Sequence, residues 1–194
     1  MFIRERVRQI LLSVLVNPLA IILIRLHVGP NFITLLGLIL SFGVAYLFMM
    51  GYFVIAGVGL LFAGMFDVLD GAVARISKDE TKIGSVLDSL SDRIAESSVF
   101  FGLMVFYLDK GELLEVSLVF LAALLGFLVS YTRAKAELLD IFGTVGLVTR
   151  PERVILLAIG GLSGFMPWFL LLIVVGSLIT FVQRFVQILD NIKD

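Results

Sequence analysis

Residues 31–66 read NFITLLGLILSFGVAYLFMMGYFVIAGVGLLFAGMF and carry no charged side chain; residues 67–92 continue as DVLDGAVARISKDETKIGSVLDSLSD. One helix needs about 20 apolar residues to cross a bilayer, and the first string is long enough for nearly two. Met50, Gly51 and Tyr52 make a plausible turn, predicting spans at about 31–50 and 53–76. The second string places four aspartates in or beside membrane helices, where an ionisable side chain is costly and usually functional.

The rest of the chain agrees with a membrane reading. Of 194 residues, 60% are hydrophobic and 16% charged, against roughly 25% charged in globular domains, and mean hydropathy is +1.10. A soluble globule, a disordered chain and a nucleic-acid binder are excluded. With no Cys there is no disulfide framework, thiolate chemistry or Cys-based metal site.

Residues 97–108 are uncharged and extend a helix from Lys82, predicting a third span at about 82–108. Asp109-Lys110-Gly111-Glu112 reads as a polar loop, and a fourth span follows at about 113–138. Residues 154–183 are again uncharged, but Gly160, Gly161, Ser163, Gly164 and Pro167 interrupt them. Such breakers favour two short spans, about 150–164 and 167–187. The expected fold is therefore an all-α integral membrane protein with six transmembrane helices.

Fourteen of the 15 Lys and Arg residues then fall on the side of the N-terminus, and Lys110 alone lies opposite. Basic residues mark the cytoplasmic side, so both termini are expected there, in the cell membrane. In residues 1–26, Ile3, Val7, Ile10, Leu11 and Val14 share one helical face, and Arg4, Glu5, Arg8 and Gln9 another. This predicts a juxtamembrane amphipathic helix on the cytoplasmic surface, ahead of a six-helix domain over 27–194. A seventh, short span in this segment is the alternative.

Asp67 and Asp70 lie three apart, Asp88 and Asp92 four apart, so each pair shares a helical face. The connection at about 77–81 is short, which makes the two helices antiparallel neighbours. Four carboxylates can then converge near the cytoplasmic surface. Their mutual repulsion calls for bound cations, and oxygen ligands without His or Cys select hard ions, Mg2+ or Mn2+. A site with two such ions suits a diphosphate. Gly71, Ala74 and Gly84 keep the aspartate faces free of bulk, so that helices or a ligand approach the backbone. Arg75 follows at the interface, within reach of a phosphate or a carboxylate.

Written out, the array is Asp67-x2-Asp70-Gly71-x2-Ala74-Arg75-x8-Gly84-x3-Asp88-x3-Asp92. It resembles the signature of the CDP-alcohol phosphotransferases, integral membrane enzymes of phospholipid synthesis, with every position filled at the family spacing. Pro30-Asn31-x2-Thr34 resembles the family's segment at the start of the first span. The resemblance implies that Asp67, Asp70, Asp88 and Asp92 bind two divalent ions and that Asp92 is also the general base. It implies a CDP-linked lipid donor held by Asn31, Phe32, Ile33, Thr34, Gly71, Ala74, Arg75, Thr81 and Gly84. The acceptor alkoxide would attack the β-phosphorus and CMP would leave. Homodimers are typical of the family, and Gly-rich faces in the third and fourth spans suit one.

The acceptor is addressed by the second half of the chain. Arg133 and Lys135 end the fourth span, Arg150 and Arg153 flank the start of the fifth around Pro151, and Arg184 ends the sixth. Pro151 marks a helix N-terminus, whose free N–H groups and partial positive charge suit a phosphate. Five cations predict an acceptor that is itself anionic. Ser130-Tyr131-Thr132-Arg133-Ala134-Lys135-Ala136-Glu137 with Arg150-Pro151-Glu152-Arg153 resembles the family's prokaryotic phosphatidylinositol phosphate synthases and their archaeal counterparts. There the two basic residues of the fourth helix often run Lys then Arg; the order here preserves charge but not fork geometry. The resemblance implies myo-inositol 1-phosphate as acceptor and CDP-diacylglycerol or CDP-archaeol as donor. Glycerol 3-phosphate, used by phosphatidylglycerophosphate synthases, is the alternative. A divalent-cation transporter using the aspartates as its selectivity site is the reading from another class, but no acidic residue continues the path through the spans. His27 and Glu96 read as structural, and Tyr52, Tyr107 and Trp168 as interfacial anchors.

Overall fold

The computed structural model describes residues 16–143 and 145–192. Among them are seven α-helices and no strand: α1 Asn17–Arg25, α2 Pro30–Met49, α3 Phe53–Ser77, α4 Lys82–Lys110, α5 Leu113–Leu138, α6 Arg150–Ser163 and α7 Met166–Asn191. The six helices from α2 onward match the expected spans closely. The helix ends follow from local chemistry. Pro30 and Pro151 sit at helix starts, where their missing N–H is no loss. Gly51, Gly111 and Gly164 stand in the left-handed conformation at helix ends. The apolar run 154–183 breaks between Ser163 and Met166, as its Gly and Pro cluster predicts. One boundary differs: α4 continues through Asp109 and Lys110, so the polar loop shrinks to Gly111 and Glu112. Glu112 N–H closes the helix on the Tyr107 carbonyl at 3.0 Å.

Four helices, α2, α3, α5 and α7, are long and apolar enough to cross a membrane. The polar first half of α4 and the 14-residue length of α6 set these two apart. The faces of Ile3 to Val14 and Arg4 to Gln9 lie outside the described residues. The part of the juxtamembrane segment that is described, α1, buries Ala20 completely.

The chain divides into two compact units. One comprises the described residues up to Ser41 together with Phe62–Ala95, the other Phe42–Leu61 and the described residues from Glu96 onward. In the first, Ala20, Ile33, Leu69, Ala72 and Val73 form an apolar core. In the second, Phe48, Phe100, Leu103, Leu157, Leu170 and Ile173 belong to a larger one. Tyr107 is part of that larger core rather than an interfacial anchor: it is 3% exposed, packed against the rings of Phe53 and Phe106. Burying its ring there gains apolar area. Tyr52 and Trp168 are exposed.

Small residues let helices of the second unit approach to backbone contact. A Cβ on Gly102 of α4 would lie 2.1 Å from the Ala45 carbonyl oxygen of α2, and one on Gly161 of α6 2.7 Å from the Phe53 carbonyl oxygen. Neither oxygen can turn aside as a side chain does. Gly102→Ala is therefore expected to destabilise the fold by about 1–3 kcal/mol or more, the usual cost of overpacking. Its thermal midpoint in detergent, compared with that of Gly43→Ala, where a Cβ meets nothing within 4 Å, checks this.

Candidate active site

In the first unit, α3 supplies Asp67 and α4 supplies Asp88 and Asp92. One carboxylate oxygen of each lies within 4.8 Å of the others, and all three side chains are half-buried. A spacing of four puts Asp88 and Asp92 on one stripe of α4. The loop from Lys78 to Thr81 is short enough to bring that stripe beside α3. Three carboxylates at this distance repel one another unless a cation lies among them. The donors are oxygens alone, which fits a hard divalent ion.

Asp70 is not in this group. It is 5% exposed, and its carboxylate accepts hydrogen bonds from the Thr34 hydroxyl at 2.5 Å and the Gly71 N–H at 2.6 Å. Thr34 is thus tied to an aspartate, a pairing of two residues 36 apart that helical periodicity does not reveal.

The residues expected to hold the CDP-lipid gather partly in the same unit. A Cβ on Gly84 would lie 3.0 Å from the Thr81 hydroxyl and 3.1 Å from the Asn31 Oδ1, and one on Gly71 3.2 Å from an Arg75 Nη. Asn31, Thr81 and Gly84 therefore adjoin, as do Gly71 and Arg75, with the glycines leaving room. The Thr81 hydroxyl also accepts the Gly84 N–H at 3.0 Å. Phe32 is 57% exposed, whereas Ile33 is 2% exposed within the apolar core. The side chain of Ile33 is thereby a core residue and not a lipid-binding one. Ala74 is half-buried beside exposed Arg75.

In the second unit the five basic residues differ sharply in surroundings. Arg133 and Lys135 are exposed; Arg133 pairs with Glu137 one turn on, and the Lys135 ammonium lies 5.7 Å from the Tyr131 ring centre. Arg150 is half-buried at the start of α6. There Glu152 reaches back to accept the Thr149 N–H at 2.9 Å, a stop signal for the helix N-terminus. Arg153 is completely buried and forks onto Glu96, Nε to one carboxylate oxygen at 2.6 Å and Nη2 to the other at 2.8 Å. Its Nη1 is buried without a hydrogen-bond partner. Gly126 of α5 makes room for the guanidinium, since a Cβ there would lie 3.1 Å from Nε. Arg184, 4% exposed, donates to the carbonyls of Val129 at 2.6 Å and Val145 at 2.8 Å.

A family model described as CDP-alcohol phosphatidyltransferase matches residues 27–145. The chain belongs to that family. As a CDP-alcohol phosphatidyltransferase the protein is a metal-dependent transferase of phospholipid synthesis, all-helical and associated with the membrane. It is 36% identical over 188 residues to the phosphatidylinositol phosphate synthase of Mycobacterium tuberculosis (strain H37Rv), covering 87% of this chain and 82% of that one. It is 33% identical over 175 residues to the archaetidylinositol phosphate synthase of Methanothermobacter thermautotrophicus, covering 87% of each. Among solved structures, the Mycobacterium tuberculosis phosphatidylinositol phosphate synthase with CDP-DAG bound superposes with a TM-score of 0.80 at 33% identity, covering 90% of this chain and 93% of that one. The same enzyme in complex with manganese and citrate gives 0.81 at 33% identity, covering 90% and 89%. That relative's manganese agrees with the oxygen-only donor set of Asp67, Asp88 and Asp92.

Proposed function

We propose that this CDP-alcohol phosphatidyltransferase moves the phosphatidyl group, or the archaetidyl group of an ether lipid, from a CDP-linked donor to myo-inositol 1-phosphate. CMP leaves and a phosphatidylinositol phosphate forms. The observation that carries the acceptor is the set of basic residues Arg133, Lys135, Arg150, Arg153 and Arg184 in the second unit, five cations that suit an anionic ligand. The names of its relatives support the same acceptor.

Asp67, Asp88 and Asp92, with Asp70 beside them, are the residues to hold two Mg2+ or Mn2+ ions, which neutralise the diphosphate and assist in-line displacement. The nucleotide end of the donor is assigned to Asn31, Thr34, Gly71, Ala74, Arg75, Thr81 and Gly84, with exposed Phe32 on the lipid and Ile33 offering its backbone only. Asp92 is assigned the proton of the acceptor hydroxyl. That hydroxyl oxygen bonds to the β-phosphorus as the bond to CMP breaks. Most of the rate gain in such a transfer comes from positioning and charge neutralisation. Arg133, Lys135 and Arg150 are assigned to the acceptor's phosphate. Arg153, through its free Nη1, and Arg184 add to the positive field.

The membrane arrangement in this reading has six spans, α2 to α7, with both termini and the site on the cytoplasmic side, the side rich in Lys and Arg. An amphipathic N-terminal segment precedes the six-helix domain of 27–194, and two copies pair through Gly-bearing helix faces. Protein in detergent with CDP-diacylglycerol and Mg2+ tests the acceptor, offered inositol 1-phosphate, glycerol 3-phosphate, free inositol and serine in parallel. Labelled lipid product is expected from inositol phosphate alone. Product from glycerol 3-phosphate instead makes the protein a phosphatidylglycerophosphate synthase and ends the inositol assignment. Lys135→Ala is expected to raise the apparent KM for the anionic acceptor about tenfold, the worth of one charge-assisted hydrogen bond, and to leave the KM for CDP-lipid unchanged.

A further inference from the structure

The described residues of the segment joining α5 to α6 form no regular structure, yet the last of them are held in place from one face of α7. The Thr180 hydroxyl accepts the N–H groups of Leu147 at 3.1 Å and Val148 at 2.9 Å, and donates to the Gly176 carbonyl at 2.8 Å. One donated and two accepted hydrogen bonds use the whole capacity of a hydroxyl. Thr180 is completely buried. One turn on, the Arg184 Nε donates to the Val145 carbonyl at 2.8 Å. A turn further, the Gln187 Oε1 accepts the Val145 N–H at 3.2 Å. Spacings of four and three put the three side chains on one stripe of α7. The packing is close as well: a Cβ on Gly146 would lie 2.6 Å from the Thr180 methyl, and one on Gly176 2.3 Å from a Val148 methyl.

We infer that Thr180, backed by Arg184 and Gln187, is a positioning residue that sets the start of α6 and, through it, Arg150. Residues 145–148 lead directly into Thr149, the N-cap of α6, and Arg150 follows at once. A loop held by two backbone N–H groups on one hydroxyl loses both bonds together when that hydroxyl goes. The segment then keeps only the bonds of Val145 to Arg184 and Gln187, and the start of α6 that carries Arg150 is held less firmly. The inference rests on the proposed role of Arg150 in holding the acceptor's phosphate.

Thr180→Val keeps the side chain's shape and removes the acceptor; Thr180→Ser keeps the hydroxyl and removes the methyl. Full-length protein in detergent with Mg2+ is read two ways. Hydrogen exchange is followed over 145–149, and steady-state kinetics with CDP-diacylglycerol and inositol 1-phosphate are measured. Thr180→Val is expected to speed exchange at Leu147 and Val148 and to raise the acceptor KM about tenfold. Its kcat and its KM for CDP-lipid are expected to stay within about twofold, and Thr180→Ser to resemble the unaltered protein in both readings. Unchanged exchange in Thr180→Val, or a fall in kcat with both KM values rising together, overturns the inference. Should Thr180→Val not yield folded protein, Gln187→Leu, which frees only the Val145 N–H, is expected to show the same pattern more weakly, and its absence counts against the strap. Arg150→Ala separates the two readings: an acceptor KM untouched by it, with exchange raised by Thr180→Val, refutes the acceptor role of Arg150 and leaves the strap supported.

Discussion

Glu96→Gln is expected to cost the fold about 3–5 kcal/mol, because it strands a buried guanidinium without its counter-charge. Arg153 is completely buried and spends two of its three nitrogens on Glu96, itself 11% exposed at the side chain. The amide matches the carboxylate in size, so packing stays and the charge goes. Taking both charges away is different. Replacing a buried ion pair by well-packed apolar residues is often neutral or stabilising, so adding Arg153→Met to Glu96→Gln is expected to recover much of the loss. Thermal or denaturant midpoints of the four forms in detergent give the double-mutant cycle, and a coupling near zero would show that the pair is not what holds α4 to α6 in this unit. Gly126→Ala acts on the same guanidinium from α5, where a Cβ would press on its Nε, and is expected to lower the midpoint as well.

Asp88→Asn is expected to reduce kcat/KM at least about a thousandfold, since several kcal/mol of charge stabilisation depend on the ions that the carboxylates hold and each 1.36 kcal/mol is a factor of ten. The same holds for Asp67→Asn and Asp92→Asn. Stability is expected to move the other way. Three carboxylates within 4.8 Å repel when no cation is bound, so in EDTA Asp88→Asn is expected to melt at or above the unaltered protein. Adding Mg2+ or Mn2+ raises the midpoint of a protein that binds it in the folded state, and the variant is expected to gain less. Activity should vanish in EDTA and return with either ion. A midpoint in the unaltered protein that does not respond to Mg2+ or Mn2+ would sink the assignment of these aspartates, whatever the activity. Asp70→Asn tests a different dependence, since Asp70 is buried and bonded to Thr34. It is expected to lower stability in EDTA and in Mg2+ alike.

Helix ends were readable because the signals are local. Pro30, Gly51, Gly111, Pro151 and Gly164 act on their own turn of backbone, and the uncharged runs of 31–66 and 154–183 measure themselves against the thickness of a bilayer. The aspartate faces were readable for the same reason, since spacings of three and four are properties of one helix. The extension of α4 through Lys110 is not legible in the sequence, because charged residues at a helix end resemble a loop and only the closing bond from Glu112 to Tyr107 distinguishes them. The distance of Tyr107 along its helix suits an anchor, whereas its packing on Phe53 and Phe106 makes it a core residue.

The amino-acid sequence by itself thus determined the class of fold, most limits of the six helices from Pro30 onward, and a carboxylate array fit for a divalent ion. Tertiary structure decided the partners. It sent Arg153 to Glu96, 57 residues away, and tied Thr34 to Asp70. It put Ile33 into a core and brought Asp67, Asp88 and Asp92 within reach of one ion. It also laid residues 145–148 on Thr180. Periodicity tells which side chains share a face; which faces meet depends on how helices distant in the chain pack, and no spacing along one helix carries that information.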